Sequence, residues 1–508
     1  MSSTITRRSM LKGSAGILGL AALGLGGAGS LAGCTSSTKA SGGSSAAMHY
    51  KYQFLGNPNM KDSAVVAEAV SKYLKDHDLN VSLDFAPNQD YDKGMSLAIS
   101  AGNAGDFYFT APWINNYQRN AGQGALLELD ELLPKYAPKL WASMSEGTWD
   151  AARVKGKIYG VINQQRFPRL WGVYGQETIV DKYKVDWDQV GSFDDMEPYL
   201  ARVKQGESGL IPWYTSQSGN GGLFYPEMNG WDPIGTAWGL GVKYDDDGLE
   251  VFNMFDTDEF KHAASTIRAW RGKGYLASLP PTDADGSVQL TAGKEAFNVG
   301  QVAPDGSQPF SYRISGKCLV DQPILTSDSI TATLTGINSA AKNPEQIVKY
   351  LELLNTDRDL YNLVCFGIEN KHWVWKDQSI EWVGFPDGVD ASNSPWNPNE
   401  DWLFGNQFNA YYRTEDDAKQ KTWDLDRKVN ESAKASVANG FNFDTTPVQN
   451  QIATLSAAVT QYKNQAMIGL QPDPQGVSKL LKAMDDAGLK AVQKEMQSQL
   501  DDFKKSKK

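Results

Sequence analysis

The stretch His49-Tyr-Lys-Tyr-Gln-Phe-Leu55, followed by Gly56-Asn57-Pro58-Asn59, decides how the rest of the chain reads. An alternating apolar run closed by a turn is a strand signal. From about Asp62, Val66, Val70, Tyr73 and Leu74 repeat at helical spacing. Asn80-Val-Ser-Leu-Asp-Phe85 alternates as a second strand. Tyr91, Met95 and Ile99 then fall every four residues, as far as Gly102. Asp106-Phe-Tyr-Phe109 is a third strand, running into Ala111-Pro112-Trp113. This alternation predicts an α/β domain with a largely parallel sheet. Ligands of such sheets bind beyond the strand C-termini, where loops 56–59 and 110–113 fall.

Further along, Ile158–Ile162 reads as a strand and 163–171 as a polar, aromatic loop. Helical segments near 194–204 and 259–273 flank a Trp- and Gly-rich region, 213–238. Asp245-Asp-Asp-Gly248 offers clustered carboxylates, but it lacks the spacing and closing Glu of a calcium loop. A hairpin turn explains it. Ser329–Thr335 reads as a strand. Asn343–Asn355 reads as a helix with Asn343 as N-cap and Pro344 first. Residues 371–410 are irregular and hold five tryptophans. Helices follow from Thr446 and Val477, with no internal repeat.

The N-terminal 33 residues contain Arg7, Arg8 and Lys12, no acidic residue, and the mild apolar run Gly16–Leu25. That layout is an export signal, and Thr6–Lys12 resembles the twin-arginine pattern. Leu31-Ala32-Gly33-Cys34 resembles a lipobox, which implies that Cys34 is acylated and anchors the chain to a membrane. Residues 35–47 are Ser-, Gly- and Thr-rich and read as a tether. Losing the signal would take the net charge of the 508-residue chain from −11 to −14.

That acidity argues against nucleic acid, whose binding depends on Lys and Arg. There is no phosphate-binding Gly-rich motif, no Cys-x-x-Cys, no His-Glu-x-x-His and no Gly-x-Ser-x-Gly. Four scattered histidines suggest no metal cluster, so neither metal nor cofactor is expected. Cys318 and Cys365 are open to either a disulfide or free thiols. The 15 tryptophans are the unusual feature.

Four segments carry a family resemblance: Gly105–Thr110, Gly124–Asp130, Gly156–Gly160 and Gly336–Glu345. With the lipobox, they resemble the extracellular solute-binding proteins of bacterial carbohydrate ABC importers, maltodextrin-binding-protein-like. Asp401–Phe408 and Asn442–Val448 resemble a subgroup of larger lipoprotein binders with an extra C-terminal module. The resemblance implies a two-lobe α/β fold with an interlobe cleft and hinge crossings near 156–161, 324–329 and 367. Lobe 1 would comprise 48–157 plus 326–366, and lobe 2 158–325 plus 367–508. It further implies a monomeric, non-enzymatic receptor outside the cytoplasm of a Gram-positive cell, passing a carbohydrate to permease subunits. A lipid-anchored glycoside hydrolase using two carboxylates, or a receptor for peptides or other polar solutes, are the alternatives.

A sugar presents C–H faces to aromatic rings and hydroxyls to amides. Trp113 follows a strand end, and Asn57 lies in the loop after the first strand. Gln164 and Trp171 follow the first crossing. Trp231 and Trp238 lie in the Gly-rich region, and Trp402, Asn406 and Gln407 in the subgroup segment. These nine are the candidate ligand residues, with Cys34 for lipidation.

Overall fold

The computed structural model describes residues 47–507 except 57–59, 236–237, 283–291, 305, 307–313, 399–400 and 472–476. The signal, most of the tether, Cys34 and Asn57 therefore lie outside the described residues.

One lobe is built on a five-stranded sheet in the order Val81–Asn88, Met48–Leu55, Phe107–Thr110, Leu334–Ile337, Gly160–Ile162. The first three strands are parallel, and Leu334–Ile337 is antiparallel to both its neighbours. Tyr50, Tyr52 and Phe54 point to one face of Met48–Leu55 and are buried there. Phe107–Thr110 is buried on both faces, as a strand covered on either side must be. Helix Ser63–Asp76 seats Val66, Val70 and Leu74 on this sheet, and Pro344–Thr356 adds Ile347, Tyr350, Leu351 and Leu354.

The second lobe has a four-stranded sheet in the order Ile314–Cys318, Trp171–Gln176, Glu295–Gln301, Ile211–Trp213. Beside it, Trp231–Gly235, Leu240–Lys243 and Phe252–Asn253 form a smaller antiparallel sheet, with Asp245–Asp247 in the connection between the last two. Helices Asp258–Gly272, Gln449–Met467, Ser478–Asp486 and Leu489–Ser506 close the same core.

Among the described residues, three segments join the lobes. Residues 163–170 leave the strand Gly160–Ile162, and 319–333 return to Leu334–Ile337. The third crossing is at 433–437, where Lys434–Ala435 pairs in parallel with Ile324–Leu325. The described residues of 367–432, expected in lobe 2, instead belong to lobe 1. The helix Arg358–Phe366 stops at Gly367, whose φ of 78° turns the chain back, and Trp373, Trp396, Leu403, Phe404 and Ala410 are buried in the first core. Trp396 stacks on Phe85 and donates to the Val364 carbonyl at 3.1 Å.

One other expectation changes, and one open alternative is resolved. Ser329 does not open a strand: Thr326 and Ser329 cap a short helix, Ser327–Ile330, and the strand begins at Leu334. Cys365 is buried in lobe 1 and Cys318 lies in the lobe 2 sheet, both as free thiols.

Lobe 2 also reaches lobe 1 beside the hinge. The Asn439 and Asn442 amides donate to the Gly147 and Arg153 carbonyls at 2.8 and 2.5 Å, and Lys155 pairs with Asp444 at 3.4 Å.

Candidate functional site

Trp113 is placed by a tight turn. Asn115, at φ 45°, takes an Asp92 oxygen on its backbone N–H at 2.7 Å and returns its amide to the Phe109 carbonyl at 2.9 Å. This tether holds the Trp113 ring out past the strand end, 54% exposed. Its indole N–H donates to the Ala332 carbonyl of the second crossing at 2.7 Å. The Trp402 ring stands edge-on to it at 6.1 Å, and Phe109 completes the triangle at 6.1 and 6.0 Å.

The Trp113 and Trp402 rings line a cavity of about 730 Å³ between the lobes. Gln165, Arg166 and Arg169 come from the first crossing, Gln407 and Trp423 from lobe 1, and Gln301 from lobe 2. Gln165 is fixed by Thr333 at 2.7 Å. Among the described residues, the Gln301 and Gln407 amides have no hydrogen-bond partner in the protein, so they face the cavity with donors and acceptors to spare. The charges lining it are held by protein partners. Asp426 pairs with Arg166 at 3.0 Å, Asp417 takes the Thr414 hydroxyl at 2.5 Å, and Asp401 meets Arg413 at 3.1 Å. Burial alone would lower the Arg413 guanidinium, but the Asp401 carboxylate carries it above the usual arginine range.

A partly buried charge group lies at the hinge. Arg169 joins Glu227 at 3.3 Å to Asp328 at 2.6 Å, and Glu227 also accepts the Trp171 indole N–H at 3.0 Å. Nearby Asp232 is 4% exposed, and burial, reinforced by Asp328 and Glu227, pushes its carboxyl up to about 7. An unfolded Asp titrates near 3.9, so the folded chain holds a proton that the unfolded chain has already lost between about pH 4 and 7. This contribution is therefore lost as pH rises through that window, by up to about 4 kcal/mol. Asp232→Asn removes the dependence. Urea midpoints of the two proteins should diverge in favour of Asn between pH 5 and 8; a pH-independent gap would contradict the assignment.

Among the candidates named from sequence, Trp113, Trp402 and Gln407 share the larger cavity, and Trp238 lines a second one. Trp231 does not face ligand: it is 6% exposed and packed against Phe224 and Phe252. Gln164 and Asn406 are structural. Gln164 donates to Ser143 and Asn355, while Asn406 caps the turn Gln407–Asn409 and donates to the Asn355 carbonyl. Trp171 stacks on Tyr225 at 4.0 Å and lines neither cavity. Trp423 and the Arg413–Asp401 pair were not anticipated. Trp423 stacks on Tyr412 from the helix Thr422–Ser432, which follows the Thr414-capped helix Glu415–Gln420.

Residues 57–359 match the family model described as bacterial extracellular solute-binding protein. A second model, a domain of unknown function, matches 437–505. A carbohydrate ABC transporter substrate-binding protein from Streptococcus pneumoniae is 26% identical over 427 residues, 82% of this chain and 83% of its own. The N-glycan transport solute binding protein (NgtS) of Streptococcus pneumoniae superposes with a TM-score of 0.79 at 23% identity, covering 91% of this chain and all of that one. Its complex with Man5GlcNAc gives 0.73, at 23% identity and 91% and 99% coverage. A solute-binding protein associated with an HMO-binding ABC transporter in Bifidobacterium longum infantis gives 0.60 at 14% identity, with 90% and 99% coverage. The shared feature is the two-lobe fold.

Proposed function

Because the chain belongs to the bacterial extracellular solute-binding protein family, we propose that it is the carbohydrate receptor of an ABC importer and takes an oligosaccharide between its lobes. One observation carries this reading: an interlobe cavity with two adjoining indoles and unengaged glutamine amides, whose charges are already paired. Rings take the C–H faces of a pyranose, and amides take hydroxyls that would each cost about 1–3 kcal/mol if buried unpaired. Internally paired charges favour a neutral ligand. The relatives named as carbohydrate-transporter and N-glycan-binding proteins support the same class.

The receptor is non-catalytic. A glycosidase needs one carboxylic acid and one carboxylate free to act on a glycosidic bond. Asp401, Asp417 and Asp426, the carboxylates lining the cavity, are each engaged by a neighbour. The protein works as a monomer outside the cytoplasm of a Gram-positive cell, hands its sugar to permease subunits, and is held by acylated Cys34 after export through the twin-arginine route. Radiolabelled fatty acid should label the intact protein in the membrane fraction and fail to label Cys34→Ser, which should be released; equal labelling would exclude the anchor.

A thermal-shift panel of neutral saccharides, from disaccharides to octasaccharides and including Man1GlcNAc and Man5GlcNAc, tests the ligand class. A bound saccharide at a hundred times its Kd should add about 2.7 kcal/mol of stability. Peptides that raise the melting temperature where no saccharide does would replace carbohydrate by peptide as the cargo.

A further inference from the structure

A second cavity, of about 520 Å³, lies between the lobes next to the first. Pro112 and Asp328 line it where Trp113 and Ser329 line the larger one, so the two adjoin where the Trp113 indole is bonded to the second crossing. Lobe 1 supplies Asn116, Arg119 and Gln123, and lobe 2 supplies Trp238, Asn442 and Gln449. The Trp238 ring is held edge-on by Phe443 at 5.8 Å and by an indole bond to Ser456 at 2.9 Å. Among the described residues, the Arg119 guanidinium and the Gln123 and Gln449 amides have no hydrogen-bond or ion-pair partner in the protein. A fixed indole with uncommitted amides thus recurs, here joined by an unpaired guanidinium that the first cavity does not have. Asn442 and Gln449 fall within the segment matched only as a domain of unknown function.

We infer that this cavity is a second saccharide subsite, and that the cargo is an oligosaccharide of at least three sugars whose ends diverge on either side of Trp113. The inference rests on the carbohydrate reading above. Each cavity has a volume in the range of sites that enclose a small ligand, about 300–1,000 Å³. A disaccharide fills the Trp113–Trp402 cavity alone, whereas a longer ligand also engages Trp238, Arg119 and Gln449. The C-terminal segment thereby acts as a selector for ligand length.

Calorimetric titration of the intact chain with Man1GlcNAc, Man5GlcNAc and a saccharide ladder from disaccharide to hexasaccharide tests this. Trp238→Ala should weaken the longest binder about tenfold and leave the shortest within about twofold. Trp238 also packs on its lobe, so Arg119→Ala combined with Gln449→Ala provides a second variant without loss of a ring; it should show the same length dependence. Affinity that does not increase with length, or variants that leave the longest binder unchanged, would overturn the second subsite while the receptor reading stands. Failure of every saccharide to bind would overturn both.

Discussion

Replacing both cavity indoles, in Trp113→Ala with Trp402→Ala, should lower saccharide affinity about a hundredfold. An aromatic platform contributes about 0.5–1.5 kcal/mol beyond the area it buries, so two rings with their buried area reach about 3 kcal/mol. The rings touch, with centroids 6.1 Å apart, so the single variants should not sum to the double. Trp113 is 54% exposed and supports little of the core, whereas Trp402 packs on Phe109. Urea unfolding of each variant therefore accompanies the titration. Trp113→Phe keeps a stacking face but loses the indole bond to Ala332. Near-native affinity in that variant would assign the role to the ring face; a loss as deep as in Trp113→Ala would assign it to the hinge bond instead.

The largest expected loss of stability is at the hinge, where Arg169→Ala should cost about 3–5 kcal/mol. Burial alone would lower the Arg169 guanidinium, but Asp328 and Glu227 hold it above the usual arginine range. Removing it leaves Glu227, whose side chain is 6% exposed, with the Trp171 indole as its remaining hydrogen-bond donor among the described residues. An unpaired buried carboxylate is the costly product, so Arg169→Ala with Glu227→Gln should recover a good part of the loss. A double variant as unstable as the single would mean that lost packing of the arginine stem, not stranded charge, sets the cost. Arg169 joins the first crossing to Asp328 on the second, and the same bridge sets how freely the lobes move.

Elements whose cause is local were legible in the sequence. The alternation from His49 to Trp113 recurs in the fold because each strand and helix there carries its own apolar period. The position of Trp113 was legible for the same reason: it follows directly on the strand Phe107–Thr110 and lines the interlobe cavity. What could not be read depends on partners distant in sequence. Gln164 and Asn406 looked like free amides, but they meet across a β-bridge 242 positions apart, with Asn355 between them. Trp231 sits among glycines, which suggested a loop, yet it starts a strand and its ring is covered by Phe224 and Phe252. The Trp-rich region 371–410 was assigned to the wrong lobe because irregular backbone carries no period, and its Trp396 ring is buried against Phe54 and Phe85, more than 300 positions earlier.

The decisive measurement is a crystal structure of the chain with the tightest-binding saccharide of the panel. One sugar ring should lie on the faces of Trp113 and Trp402, with Gln301 and Gln407 on its hydroxyls and both lobes in contact with it. A saccharide bound outside the interlobe space, or one held there without touching either indole, would contradict the proposed site.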